Sequence, residues 1–430
     1  MQDFKEILQI LHEEVVPAQG CTEPIAIAYV AAKAKEILKE EVQKVLIKVS
    51  GNIIKNVKSV VVPNSGGLTG IDTSAVMGIV AGKSKKGLMV ISNITDKQMQ
   101  EVKQFMKQKE IVIEHIQTDT KLYISITLYS KKHCSLVEIK HMHTNITRIE
   151  RDKRVILERP CNDADFNSPL ENRKKLSIKK IYELAKTLDT KSVEPLFEKV
   201  IELNCAIAKE GLDGKYGVNI GQLICTNIDK GVYGDDARNR AAAFASAGSD
   251  ARMSGCALPV MTTSGSGNQG MSASLPLIKY AQITNISKEK LLRALFFSHL
   301  STIHIKTNIG RLSAYCGVIC ATSSIAGALA FLNDESFEVV AHSIANSLGN
   351  VSGIICDGAK SSCAMKIATT TTAAFDSYML ASQGRYLHGG DGIIAQDIEQ
   401  TLQNIGRLAA EGMNTTDKVI VDIMSKNKKS

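Results

Sequence analysis

The sequence predicts an α+β protein in two parts, an N-terminal mixed α/β domain over residues 1–157 followed by an all-α helical domain over residues 170–430. Three observations carry that expectation. Hydrophobic periodicity alternates between helical and strand patterns up to about residue 155, and almost every later segment has helical spacing. Between them lies a polar, turn-rich stretch, Arg159 to Ser168 (RPCNDADFNS) followed by Pro169, which reads as a linker. A chain of 430 residues has room for two or three domains, and its 44% hydrophobic and 22% charged residues are those of a folded globular protein.

In the first part, Phe4 to Glu14 and Thr22 to Lys39 have helical spacing, and the β-branched run Val42 to Val49 reads as a strand. A helix is expected from Ile71 to Val80, a strand from Leu88 to Ile91 and a helix from Lys97 to Lys109. Ile111 to Ile149 then reads as successive strands, clearest at Tyr123, Ile124, Ile126 and Leu128. In the second part, helices are expected over Ile178 to Leu188, Val193 to Lys209, Ala237 to Met253, Lys288 to Ile303, Leu312 to Leu332 and Phe337 to Leu348. The run AAAFASAG at 241–248 predicts closely packed buried helices. Leu312 to Leu332 carries no charge and is about long enough to cross a bilayer. Ser313, Cys316, Gly317, Cys320, Thr322, Ser323 and Ser324 dilute its hydrophobicity, so a helix buried in a helical domain is expected and no membrane contact.

Composition excludes several classes. Lys and Arg exceed Asp and Glu by 52 to 44, a net charge of +8, but the excess is spread out apart from clusters at Arg173 to Lys180 and Lys426 to Ser430. With no Trp and 5% aromatics there is no basic stripe interleaved with stacking rings, so nucleic acid is not an expected partner. Asp3, Lys5 and Glu6 stand where a signal peptide would be basic and then apolar, and export is not expected. Ten cysteines are too sparse for a disulfide scaffold, which predicts a cytoplasmic protein with reduced thiols.

The residues able to do chemistry fall in three segments. Cys356 and Cys363 flank Gly358 in GIICDGAKSSCAMK, and Cys316 stands 40 residues upstream in SAYCGVIC. A glycine turn can bring such thiolates to one metal or iron–sulfur cluster, although the spacing is no ferredoxin pattern and buried structural cysteines would look the same. Cys320, one turn from Cys316, could substitute as a ligand. The second segment is SGSGNQG, Ser264 to Gly270, ahead of a helical pattern from Met271 to Ala281, where free backbone N–H groups would suit a carboxylate or phosphate or simply form a tight connection. PNSGGLTGID at Pro63 to Asp72 repeats that chemistry weakly and reads as a turn. The third is QGCTEP, with Cys21 at a helix N-terminus whose field should favour the thiolate, and Glu23 able to cap backbone donors or to pair with a substrate ammonium. His115, His133, His141 and His143 fall on or between strand patterns; His141 and His143 would share one strand face, but no third zinc ligand is evident. Lys306, Arg311 and Lys360 flank the cysteine segments as counter-charges or carboxylate binders.

QGCTEP, SDARMSGC followed by PVMTTSGSGNQG, HIKTNIGRLSAYCG and ICDGAKSSCAMK, in that order, resemble the L-cysteine desulfidase family, relatives of the iron–sulfur L-serine dehydratases. The similarity spans about residues 6–415. The resemblance implies an oxygen-sensitive enzyme that uses a [4Fe-4S] cluster, and no pyridoxal phosphate, to convert L-cysteine to pyruvate, ammonia and sulfide. It implies Cys316, Cys356 and Cys363 as cluster ligands and Cys21 as a fourth functional cysteine, either a reversible fourth ligand displaced by substrate or the thiolate that moves the proton. It also implies Ser264, Gly265, Ser266, Gly267, Asn268, Gln269 and Gly270 as the substrate site, to which Glu23 is added as the candidate partner of the substrate ammonium. Cys134, Cys161, Cys205, Cys225, Cys256 and Cys320 match no motif and are expected to be structural. The motifs do not identify the α-proton base; Lys306 is the catalytic candidate, with Lys360 behind it. Because Cys21 lies in the first domain and the three ligands in the second, the site should sit between them. Rival expectations are an L-serine dehydratase, a pyridoxal-phosphate enzyme using SGSGNQG as a phosphate cup, and a non-enzymatic iron–sulfur sensor or binding protein. The expected partner is a small amino acid, with a homodimer as the default assembly.

Overall fold

The chain begins with α1 (Gln2–Glu14), a short strand β1 (Pro17–Gln19) and α2 (Thr22–Leu38). The β-branched run forms β2 (Lys44–Ser50), followed by α3 (Gly51–Val57), α4 (Ile71–Ala81) and α5 (Asp96–Gln108). Five strands complete this half: β3 (Glu110–Ile116), β4 (Tyr123–Tyr129), β5 (Cys134–Lys140), β6 (Ile146–Arg151) and β7 (Arg154–Glu158). Together with β2 they make a six-stranded sheet in the order β3-β2-β4-β5-β6-β7, parallel between β2 and β3 and antiparallel elsewhere. The parallel pair is possible because α3 to α5 provide the crossover. Strand alternation puts Val45, Ile47 and Val49 of β2 and Ile124, Ile126 and Leu128 of β4 into one core with Ala26, Ile27, Val30 and Ala34 of α2.

This computed structural model describes residues 2–161, 173 and 175–426, so the expected linker beyond Cys161 lies outside the described residues. The second half comprises α6 (Ile178–Thr187), α7 (Glu194–Asp213), α8 (Ile220–Asp229), α9 (Ala237–Met253), a three-residue strand β8 (Pro259–Met261), α10 (Gly267–Ile283), α11 (Lys288–Thr307), α12 (Gly317–Leu332), α13 (Phe337–Val351), α14 (Ser362–Ser382), α15 (Ile398–Arg407) and α16 (Asn414–Lys426). The α+β expectation is met by a mixed half followed by a helical one. Small residues allow the close packing that AAAFASAG predicts: a Cβ on Gly211 of α7 would collide with the Ala247 carbonyl of α9. Every residue from Val318 to Leu332 of α12 is buried. Among the described residues no helix is long and apolar enough to cross a membrane.

Two local expectations fail in the first half. Leu88 to Ile91 is not a strand; a 3-10 helix spans Ser84–Met89, and the Lys83 N–H donates to the Val90 carbonyl across it. Leu88, Val90 and Ile91 are buried all the same, and a short apolar run shows burial without showing which backbone delivers it. Nor do His141 and His143 lie on a strand. They occupy the turn after β5, with His141 at φ +63°, and they line different cavities.

Three contacts knit the halves together. Ile7, Ile10 and Leu11 of α1 join the core of the helical half. Strand β1 pairs antiparallel with β8. Helix α16 returns to α3, where the Asp417 carboxylate accepts from Lys55 Nζ and from Asn52 Nδ2, both at 2.6 Å. The Lys55 side chain is 1% exposed, so Asp417→Ala would leave a buried ammonium without a counter-charge. The expected cost is about 3–5 kcal/mol in chemical unfolding. A loss under about 1 kcal/mol would mean that the ammonium relaxes into water.

Candidate active site

Sequence distance between the motif cysteines is removed by one backbone bridge. Residues 312–316 do not belong to α12, which begins at Gly317 with Cys316 as its N-cap. Tyr315 instead pairs antiparallel with Ile355, the Cys316 N–H donates to the Ile354 carbonyl at 3.3 Å, and the Cys356 N–H donates to the Ala314 carbonyl at 2.6 Å. The chain then turns at Gly358, whose φ of +97° and contact with the Lys55 carbonyl exclude a side chain. Cys363 follows in the first turn of α14, its Sγ 3.7 Å from the Gly358 carbonyl. From the other half, Cys21 caps the start of α2 without a side-chain cap bond.

Cys21, Cys316, Cys356 and Cys363 line one cavity of about 90 Å³, together with Glu23, Ser264, Gly265, Ser266, Asn268, Gln269 and Lys306. Gly267 and Gly270 of the same loop lie behind its wall. A Cβ on Gly270 would collide with the Met261 carbonyl, and one on Gly267 with the Arg252 guanidinium. Lys360 does not line the cavity; it pairs with Asp357, which also holds Lys366. Cys320 is buried in α12 outside the lining. A larger cavity of about 900 Å³ lies between the β3–β4 connection and α16, lined by His115, Lys121 and His141 among others. It shares only Arg311 and Leu312 with the thiol cavity and contains no cysteine, so the chemistry is assigned to the smaller one.

Burial pushes the Cys21, Cys316 and Cys363 thiols above the ordinary range. Cys356 and Cys363 push Cys316 further up, which sets the three thiols within reach of each other's fields. At Cys21 the outcome is opposite to the expectation from the helix field: burial and the Glu23 carboxylate favour the thiol, and the opposing field of Arg252 is weaker. The Cys21 Sγ donates to Glu23 Oε2 at 3.6 Å. Burial, the largest single influence, raises the Glu23 pKa, but His143, the backbone N–H of Glu23 and Arg252 together outweigh it and bring it to about 2, so the carboxylate stays charged. His143 Nε2 stands 3.5 Å from Glu23 Oε1, an electrostatic contact too long and poorly aimed for a formed hydrogen bond. Asn56 Nδ2 donates to the same carboxylate at 3.1 Å and Thr22 Oγ1 at 3.2 Å. Lys306 is buried without an ion pair among the described residues; burial lowers its proton affinity, while Cys320, Cys356 and Cys316 oppose that.

Among the described residues no three His, Cys, Asp or Glu side chains are disposed to hold a single metal ion, whose sphere would need thiolates about 2.3 Å from one centre. An iron–sulfur cluster takes one cysteine per iron and holds its ligands apart by its own width. Three soft donors on one cavity wall, with Lys306, Lys366 and Arg252 near enough to offset thiolate charge, fit such a group.

Arg252, His143, Asn56 and Lys55 line this cavity and were not singled out as site residues. Arg252 had a signal in the sequence, a cation inside the small-residue run of α9 that has to be buried. His143 had one in His-x-His, which reads as a zinc pair lacking a third ligand and not as a carboxylate partner. Asn56 and Lys55 had none, because seven-residue α3 is too short to show a period.

Residues 85–422 match the family model described as the serine dehydratase alpha chain, a span that contains Arg252, Lys306 and the three clustered cysteines but not Cys21 or Glu23. The chain is 58% identical over 423 residues to a UPF0597 protein of Fusobacterium nucleatum, covering 98% of this chain and 99% of that one. Identity is 47% to a UPF0597 protein of Desulfitobacterium hafniense, with 98% and 96% covered, and 44% to one of Lachnoclostridium phytofermentans, with 98% and 99% covered. On a match of that extent, the chain belongs to the serine dehydratase alpha chain family.

Proposed function

We propose that this protein is an iron–sulfur lyase that eliminates the β-substituent of a small L-amino acid, with L-cysteine as its substrate: L-cysteine and water give pyruvate, ammonia and hydrogen sulfide. The observation that carries the reading is the meeting of Cys21 with Cys316, Cys356 and Cys363 around one small cavity that also holds an unpaired lysine. L-Serine dehydration is the second reading, favoured by the family match.

Cys316, Cys356 and Cys363 would hold a [4Fe-4S] cluster, which when bound supplies a Lewis-acidic iron to the leaving group. The chain's own residues do the rest. Lys306 is suited to take the α-proton at Nζ, since burial favours its neutral amine and no carboxylate holds its proton. The electron pair of the broken C–H bond becomes the Cα–Cβ double bond as the C–S bond breaks. The Glu23 carboxylate would hold the substrate ammonium, and the Cys21 thiol beside it would deliver a proton to the departing sulfur. Ser264, Ser266 and the first turn of α10 line the wall as hydrogen-bond donors for the substrate. The aminoacrylate product tautomerises to an imine and hydrolyses without assistance.

Purification without oxygen should yield about four irons and four acid-labile sulfides per chain, with each of Cys316→Ser, Cys356→Ser and Cys363→Ser losing iron and activity together. Sulfide release from L-cysteine should exceed pyruvate formation from L-serine at least about tenfold in kcat/KM. The reverse ratio assigns the dehydratase, and iron-loaded protein inactive on both amino acids rejects the lyase.

Lys306→Ala should keep its iron and lose about 10²- to 10⁴-fold in kcat with KM little changed, the signature of a lost proton-transfer group. Cys21→Ala should likewise keep its iron and lose turnover, because three ligands remain; unchanged sulfide release would remove Cys21 from the mechanism.

A further inference from the structure

We infer that Arg252 is the residue that binds the substrate α-carboxylate, with Asn268 as the residue that positions it. The inference deepens the function proposed above and rests on that reading for the identity of the substrate.

The Arg252 side chain, near the end of α9, is 2% exposed and lines the thiol cavity. The other buried or nearly buried arginines each have a carboxylate close by: Arg173 Nη2 lies 2.7 Å from Glu13 and 3.0 Å from Glu14, and Arg311 Nη2 lies 2.5 Å from Glu14. Arg252 forms no ion pair among the described residues. Its Nη1 donates to Asn268 Oδ1 at 3.1 Å, and its Nε is buried without an acceptor. A guanidinium presents Nε–H beside a second N–H, an edge that takes a carboxylate with two parallel hydrogen bonds.

The surroundings point to an anion as well. Gly267 opens α10, and any side chain there would collide with the Arg252 Nε and Cζ, so the guanidinium packs against the first residue of the helix. A guanidinium packed against the positive end of a helix in a dry cavity is destabilised unless an anion lies within reach of both. Glu23 and the thiols of Cys21 and Cys363 feel the Arg252 charge, but Glu23 is already held by Asn56 and Thr22. Asn268 spends its side-chain carbonyl on Arg252 and Ser249 and points its amide at the Met253 sulfur, which makes it a holder of the guanidinium. The carboxylate role that the SGSGNQG motif suggests therefore passes largely to a side chain that the loop supports.

The test is calorimetric binding to anaerobically prepared holoenzyme of 3-mercaptopropanoate, which has the thiol and the carboxylate, and of 1-propanethiol, which has the thiol alone. Wild type should prefer the acid by at least roughly 100-fold, a lower bound on the worth of two charge-assisted hydrogen bonds. Arg252→Met should reduce that preference below about tenfold with iron content and propanethiol affinity unchanged, and should raise KM for L-cysteine more than it lowers kcat. Arg252→Lys should restore part of the preference, and Asn268→Ala should shift it in the same direction by less. An Arg252→Met enzyme that keeps the wild-type preference overturns the inference. So does one that loses iron and binds both probes weakly, since Arg252 would then serve the cluster's charge. An acid preference in a wild type that turns over neither amino acid would reject the lyase reading and leave the carboxylate site standing.

Discussion

The buried ammonium of Lys55 is the constraint on which the site's geometry depends. It pairs with Asp417 on α16 and reaches the Cys356 carbonyl at 3.3 Å, while its own carbonyl closes on Gly358. One residue of the α/β half thereby touches the last helix and both ends of the turn that carries a proposed ligand. The desolvation cost of two buried charges is several kcal/mol per ion, and an apolar pair of similar volume could be as stable. An apolar pair would have no direction, however, and could not hold a carbonyl at one height. The polar arrangement exchanges some stability for a fixed relation between the α/β half, which carries Cys21, and the turn that carries Cys356.

Charge in the cavity is balanced for a more negative occupant than the chain itself supplies. Arg252 is buried without an ion pair among the described residues, Lys306 is buried likewise although burial favours its neutral amine, and Lys366, whose charge the Cys316 and Cys363 thiols feel, is already paired with Asp357. Against them stands the ionised Glu23, while burial keeps the thiols protonated. The Arg252 guanidinium has no carboxylate of its own, and a buried cation in that position costs stability unless something anionic is bound. Loading three cysteines with metal converts them to thiolates and releases their protons, and a substrate carboxylate adds a further negative charge. The cations therefore make most sense in a loaded, substrate-bound enzyme.

Much of the fold was legible because long periodic segments report their own burial. Helices such as α9, starting at Ala237 and ending at Met253, and α5 fell within a residue or two of their expected limits. The spans of α8, α14, α15 and α16 were covered only by the general expectation of helices in the second half, and other elements escaped because they are short or depend on distant partners. Seven residues of α3 cannot show a helical period, and three-residue β1 and β8 exist only because they pair with each other across 240 residues of chain. The site divided in the same way. Cysteines and glycines stood out because each type is uncommon and chemically pointed. Arg252 did not, since a lone charged residue gains meaning only from what it fails to pair with, and pairing is a property of the folded chain.

The β1–β8 ladder explains how residues so far apart in sequence keep one geometry. Gln19, the last residue of β1, pairs with Pro259, and its Nε2 donates to the Ala257 carbonyl at 2.7 Å. Gly20 then turns at φ +61° against Pro63, where a side chain would collide with the proline ring, and the next residue is Cys21. On the partner strand, Met261 is followed two residues later by Thr263, whose hydroxyl lies 2.7 Å from His299 Nδ1, and the next residue opens the SGSGNQG loop. Both approaches to the cavity therefore leave a single three-residue ladder, one toward Cys21 and Glu23 and the other toward the loop that supports Arg252. A shift between the halves would move the proposed ammonium and carboxylate contacts with that ladder, and so largely together. Elimination needs the substrate held at both charged groups while its β-substituent faces the cysteines, and a shared ladder is a compact way to keep those two contacts in register.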